Sequence, residues 1–192
     1  MTRTSTRCVV SVPASVVGAI RFDPPLPTRK QRALDGVRYG DAAKLFLRLA
    51  VPDEPSATLA VRERFWAYTQ LAPDGSPLPI LAAFAGTRVG LDALTAEAVR
   101  KLRPDLAFAD DEPVLSIWHD DPWVRGGYSA RSIASPLDDE ALAEPIGPLA
   151  FAGEHTAGKW HALMEGALRS GLRAADDVAL YLSTARERSR PH

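Results

Sequence analysis

Cysteine is almost missing from this chain of 192 residues: Cys8 is the only one, and there are four histidines. A single thiol excludes an intrachain disulfide framework and any zinc site built from several thiolates, and it points to a reducing, cytoplasmic setting. An excess of one charge is missing too. Lys and Arg number 23 against 24 Asp and Glu, a net charge of -1, with no basic stripe of the kind a phosphate backbone requires, so nucleic acid is not an expected partner. No apolar run approaches the roughly 20 residues that span a bilayer, and the apolar stretch after MTRTSTR is too short for a secretion signal. What remains is ordinary. With 46% hydrophobic and 24% charged residues, the composition is that of a folded soluble domain, and the length allows one substantial core or two small ones. There is no internal repeat or low-complexity tract.

Along the chain, Cys8-Val9-Val10-Ser11-Val12 is a β-branched run closed by Pro13, the pattern of a buried strand arriving almost at the first residue. Asp23-Pro24-Pro25-Leu26-Pro27 imposes an extended, helix-free crossing, because each proline restricts its own φ and that of the residue before it. A short helix is expected over Thr28 to Asp35. Strands are expected over Lys44 to Ala50, Arg64 to Gln70, Ile80 to Gly86 with its turn, and Val114 to Trp118. Thr95 with Glu97 signals the start of a helix that Pro104 ends. Asp120 to Tyr128 reads as an irregular aromatic loop. The last third gives a short buried strand Leu149 to Ala152, a turn Gly153-Glu154-His155-Thr156, a long helix from about Trp160 to Leu182, and a frayed tail.

In that last helix small residues fall in two four-spaced rows, Ala162-Gly166-Ser170-Ala174 and Ala167-Gly171-Ala175, side by side on one face. Glycine costs a helix interior roughly 1 kcal/mol relative to alanine, so such a face calls for a close partner, either a sheet or a ligand. A helix N-terminus following a buried strand also offers unpaired N–H groups and a positive dipole end suited to a phosphate or an electron-rich carbonyl oxygen. A plain crossover helix on a sheet would share these features.

The run FAGEHTAGKWHALMEGALRSGLRAADDV, Phe151 to Val178, resembles the C-terminal flavin motif of the FAD-dependent amine oxidases, the family of monoamine, polyamine and L-amino-acid oxidases. VVSVPASVVGAIRFDPPLP, YGDAAKLFLRL and SIWHDDPWVRGGYSA follow the same family in order. The resemblance implies an α+β or α/β chain: a substrate-domain portion over residues 21–120, and FAD-domain pieces over 1–20 and 121–185, ahead of a tail at 186–192. It also implies that Gly153 and Glu154 lie near the ribityl and pyrophosphate part of FAD. Ala162, Leu163 and Met164 match the start of the helix whose positive end faces the flavin pyrimidine oxygen. Lys44 matches the lysine that holds a water against flavin N5 and assists reoxidation by oxygen. Trp118 and Tyr128 match an aromatic wall that orients an uncharged amine. No metal is implied.

Three departures qualify the match. Gly127 stands where monoamine oxidases carry the cysteine that tethers flavin, so FAD is expected to bind noncovalently. Leu163 stands where a second caging aromatic is found, with Trp160 and Trp123 as other sources of a ring. The Gly-x-Gly-x-x-Gly turn that holds the FAD pyrophosphate occurs nowhere in the chain, so the resemblance covers the C-terminal half alone, with the N-terminal Rossmann part absent. The implied function is oxidation of a small amine to an imine, with the chain inactive by itself unless a separately encoded N-terminal FAD-binding chain completes it. The competing readings are a nonenzymatic remnant or interaction module, and a desaturase or isomerase of the same flavin fold.

Overall fold

The computed structural model describes residues 4–131 and 136–188, with side chains to residue 183. In chain order the elements are β1 (Cys8–Val10), α1 (Ala14–Val17), α2 (Thr28–Asp35), β2 (Arg38–Tyr39), β3 (Ala43–Arg48), β4 (Ala57–Ala60), β5 (Phe65–Leu71) and β6 (Pro77–Ala85). They continue with α3 (Arg88–Ala93), α4 (Ala96–Leu102), β7 (Val114–Ile117), β8 (Ser129–Ala130), α5 (Asp139–Ala143), β9 (Leu149–Phe151) and α6 (Met164–Arg188). Contacts divide this mixed α/β chain into two compact units, residues 1–39 with 128–192, and residues 40–127. Residues 21–39, expected with the central portion, therefore pack in the first unit, and residues 121–127 in the second.

The second unit is an antiparallel sheet in the order β4-β5-β6-β3-β7. Alternation along β3 buries Ala43, Leu45 and Leu47 against Phe65, Ala67, Leu81, Ala83 and Ala85 of the neighbouring strands, and Leu94 and Val99 cover this core. The run of alanines lets the helices come close to the sheet. Thr87 and Thr95 cap α3 and α4, each hydroxyl accepting from the N–H three residues on.

In the first unit β1 and β9 pair in parallel, Val10 beside Phe151. One face of this pair carries Val10 and Phe151 against α1, α2 and α5, through Val17, Leu34 and Leu142. The other carries Ala150 and Ala152 against Ala174 of α6. Cys8 and Val9, read as part of a buried strand, are exposed; only Val10 is buried. Paired on one side only among the described residues, the β1 run has few neighbours to cover it. Lys30 of α2 is 2% exposed. Its Nζ donates to the carbonyls of Leu142 (3.2 Å) and Glu144 (2.6 Å), at the C-terminal end of α5, and lies 3.8 Å from the Phe151 ring centroid. Burial pulls its ammonium down to about 8. Tyr39, whose hydroxyl accepts from the Ala14 N–H at 2.9 Å, is pushed up by burial to about 12.

The long helix starts at Met164, not at Trp160, because Gly158 (φ 57°) and Ala162 (φ 62°) turn the backbone out of the helical region first. Only one small-residue row is packed. Gly166, Ser170 and Ala174 are buried, while Ala167, Gly171 and Ala175 face solvent. A Cβ at Gly166 would overlap the carbonyl oxygen of Trp160, so the partner of this row is the chain's own preceding loop and sheet. No helix among the described residues is long and apolar enough to cross a membrane.

Candidate functional site

In the first unit the turn after β9 is built around one carboxylate. Glu154 Oε1 accepts from the Ser129 N–H at 2.9 Å, and Oε2 accepts from Ser129 Oγ at 2.5 Å and from the Ala162 N–H at 2.7 Å. Three donors thus converge on it, two from β8 and one from the residue two places ahead of α6. Ala162 is held at positive φ by this contact, although its methyl group disfavours that conformation. The consequence is a fixed entry to α6: Leu163 and Met164 follow, Met164 being 87% exposed. The first N–H groups of a helix have no intrahelical partner, so the positive end of a 25-residue helix opens here onto solvent.

Gly153 is required at its position twice over. Its φ is 124°, and a Cβ would lie 2.6 Å from Cε1 of the buried His155 ring. Its N–H donates to Ser170 Oγ at 2.9 Å, while that hydroxyl donates to the Ala167 carbonyl at 2.8 Å. Arg173 holds the same turn from α6, donating to the carbonyls of Phe151 (2.6 Å) and Thr156 (3.0 Å) and to Thr156 Oγ1 (3.0 Å). Burial lowers the pKa of both Arg173 and His155 from their ordinary values.

The structure therefore brings Gly153, Glu154, Ala162, Leu163 and Met164 together, with half-exposed Tyr128 adjoining Ser129. Ser129, Ser170 and Arg173 complete the arrangement. Sequence reading missed Ser129 and Arg173 because a serine in a two-residue strand and an arginine in a helix carry no local signal.

Lys44 and Trp118 lie in the other unit. Lys44 pairs with Phe84 and Ser116 across β3, on the face opposite the buried Ala43 and Leu45. The Trp118 N–H donates to the Ala42 carbonyl at 3.1 Å, which extends the β3–β7 ladder by one step and puts Trp118 in the same alternation phase as Ser116 and Lys44. Trp123, offered as another ring, is 81% exposed. Gly127 donates its N–H to the Gly40 carbonyl at 2.9 Å, and a Cβ there would overlap the Ala42 methyl.

The family described as flavin containing amine oxidoreductase matches residues 2–179. A possible lysine-specific histone demethylase 1 of Drosophila melanogaster is 30% identical over 190 residues, covering 84% of this chain and 21% of that protein. An L-amino acid dehydrogenase of a Synechocystis strain is 28% identical over 189 residues, covering 88% of this chain and 40% of its own length. Among solved structures, cyclohexylamine oxidase from Brevibacterium oxydans superposes with a TM-score of 0.70 at 23% identity, covering 91% of this chain and 43% of the oxidase. The chain thus spans between a fifth and just over two fifths of the length of these three proteins.

Proposed function

The chain belongs to the flavin-containing amine oxidoreductase family, and from that premise we propose that it is the C-terminal, substrate-side part of an FAD-dependent amine oxidase acting on small amines. The observation that carries this reading is the Glu154 clamp, which fixes Ala162 and leaves the positive end of α6 open to an electron-rich partner. The residues fit the flavin end of the cofactor; the dinucleotide end would need a Gly-x-Gly-x-x-Gly turn, which the chain does not contain.

The chemistry supplied by a bound flavin is acceptance of a hydride from the amine α-carbon, leaving an imine that hydrolyses to an aldehyde or keto acid plus ammonia, with oxygen regenerating the oxidised ring. The protein's part is to hold and orient. If a flavin bound here, the backbone N–H groups at Leu163 and Met164 would be available to stabilise negative charge on it, and Glu154, by fixing Ala162, would keep the helix entry in place. By the family match, Lys44 would order the water that assists reoxidation. By the family match, Trp118 and Tyr128 would be the aromatic side chains that orient the amine, and Leu163 offers an aliphatic side chain where a second ring would stand. The overlap with Ala42 that any Cβ at position 127 would suffer supports noncovalent FAD.

The chain by itself is expected to be inactive. The test is a fluorescence titration of FAD with the chain alone, and then with a Gly-x-Gly-x-x-Gly polypeptide supplied separately or fused ahead of residue 1. Saturable quenching in the second case, with amine-dependent peroxide formation, supports the proposal. Absence of quenching in both overturns it in favour of a nonenzymatic interaction module. A Lys44→Met variant of the assembled protein should reoxidise more slowly with oxygen, and an unchanged rate removes Lys44 from the reaction.

A further inference from the structure

Lys30 is a buried charged group of the first unit that the proposed reaction leaves unused. An ammonium in such a position costs desolvation that an apolar side chain of similar length would avoid. What it does there is specific. Two of its three donors go to the Leu142 and Glu144 carbonyls at the C-terminal end of α5, and it stands over the face of the Phe151 ring, 3.8 Å from the centroid. Phe151 is the last residue of β9, and a second cation holds it from the opposite layer. Arg173 of α6 donates to the Phe151 carbonyl at 2.6 Å and, through the same guanidinium, to the carbonyl and hydroxyl of Thr156. That hydroxyl donates in turn to the Gly153 carbonyl at 2.8 Å. The segment from Phe151 to Thr156 is thus pinned at its first residue by Lys30 from the α2 and α5 side and by Arg173 from the α6 side, and at its last residue by Arg173 again. Glu154 lies inside this segment, so the place from which it reaches Ser129 and Ala162 is set from outside the clamp.

We propose that Lys30 is a positioning residue for the Glu154 clamp, acting through Phe151. A cap for α5 alone would need only the two carbonyl bonds; the contact with the Phe151 ring, with Arg173 on the carbonyl of the same residue, couples the α2–α5 junction to the entry of α6. The clamp geometry is independent of flavin, and the consequence for a cofactor rests on the flavin reading given above.

The experiment is a set of proton–nitrogen correlation spectra of the 192-residue chain, of Lys30→Met, of Phe151→Leu and of the double variant. The Ser129 and Ala162 amides, which donate to Glu154, are the reporters, and the Ala98 amide, which donates to Thr95 in the other unit, is the control. Lys30→Met should move both reporters upfield as their bonds to the carboxylate lengthen, with the control in place. A role confined to capping α5 would lower the melting temperature and leave all three unmoved, which overturns the proposal. Phe151→Leu keeps the lysine and its carbonyl bonds and should move the same two reporters; unmoved reporters there overturn the proposal even if Lys30→Met does not fold. The double variant should move them no further than Phe151→Leu alone, and additive shifts overturn the route through Phe151. In the fused protein of the FAD titration, Lys30→Met should weaken FAD binding roughly two- to thirtyfold, the range of coupling carried by packed networks. Shifted reporters in a chain that fails every FAD titration would keep the positioning role and remove the flavin reading; unmoved reporters with FAD bound as tightly as by the parent would do the reverse.

Discussion

Glu154 is the residue whose replacement says most. Its two oxygens take three donors, and the isosteric Glu154→Gln keeps one acceptor oxygen while turning an NH2 group towards groups that are themselves donors. Loss of about 1–3 kcal/mol is expected in a denaturant melt, together with weaker quenching of FAD by the assembled protein; a variant as stable as the parent would show that the clamp is not under load. Gly153→Ala tests the neighbouring constraint. A methyl group there meets the His155 ring, at a φ of 124°, and the expected destabilisation is again about 1–3 kcal/mol. If His155 is shortened to Ala in the same chain, the steric part of that loss should be relieved and the backbone part should remain, which a comparison of the two melts resolves.

At the level of elements, Lys30 makes the junction of α2 with α5 sensitive to pH. Its folded-state pKa is about 8, below the ordinary 10.5, because burial disfavours the charged form. The unfolded chain therefore holds more protons on this group between about pH 8 and 10.5, and stability contributed through it rises with pH over that window. Tyr39 acts in the opposite direction from about pH 10, where the unfolded phenol ionises and the buried one, at about 12, does not. Melts between pH 8 and 10 should show the rise, and Lys30→Met should lose it while removing the cap on the α5 carbonyls.

The same elements show what could be read from residues alone. α2, β3 and α4 were legible because proline, alternating burial and the Thr95 cap are local signals. β2, β8 and α5 were not, since two-residue ladders and a five-residue helix depend on partners far along the chain. The start of α6 was misplaced for a related reason: the left-handed Ala162 is held by Glu154, eight residues earlier, and nothing in an alanine announces it. Of the site, the carboxylate and the helix start were legible through family resemblance, whereas Ser129 and Arg173 emerge only from packing.

For the whole molecule the outstanding property is uncovered apolar surface. Leu168 and Leu172 on α6 are 67% and 71% exposed, a surface that soluble monomers rarely leave open as a contiguous patch. The chain on its own should therefore self-associate as concentration rises, and Leu168→Glu with Leu172→Glu should lower the association in analytical ultracentrifugation without changing the melting temperature appreciably. Equal sedimentation of parent and variant would exclude α6 as the contact.

The close approach of Gly127 to Ala42 bears on how this scaffold could be re-engineered. A thiol installed at position 127 to tether a cofactor has no room for its own first carbon while Ala42 keeps its methyl group. A single-codon route to a covalent linkage therefore requires Ala42 or its backbone to shift, and an intermediate carrying glycine at position 42 would supply the room. In that intermediate the strand entry beside Lys44 is loosened before the tether brings any gain.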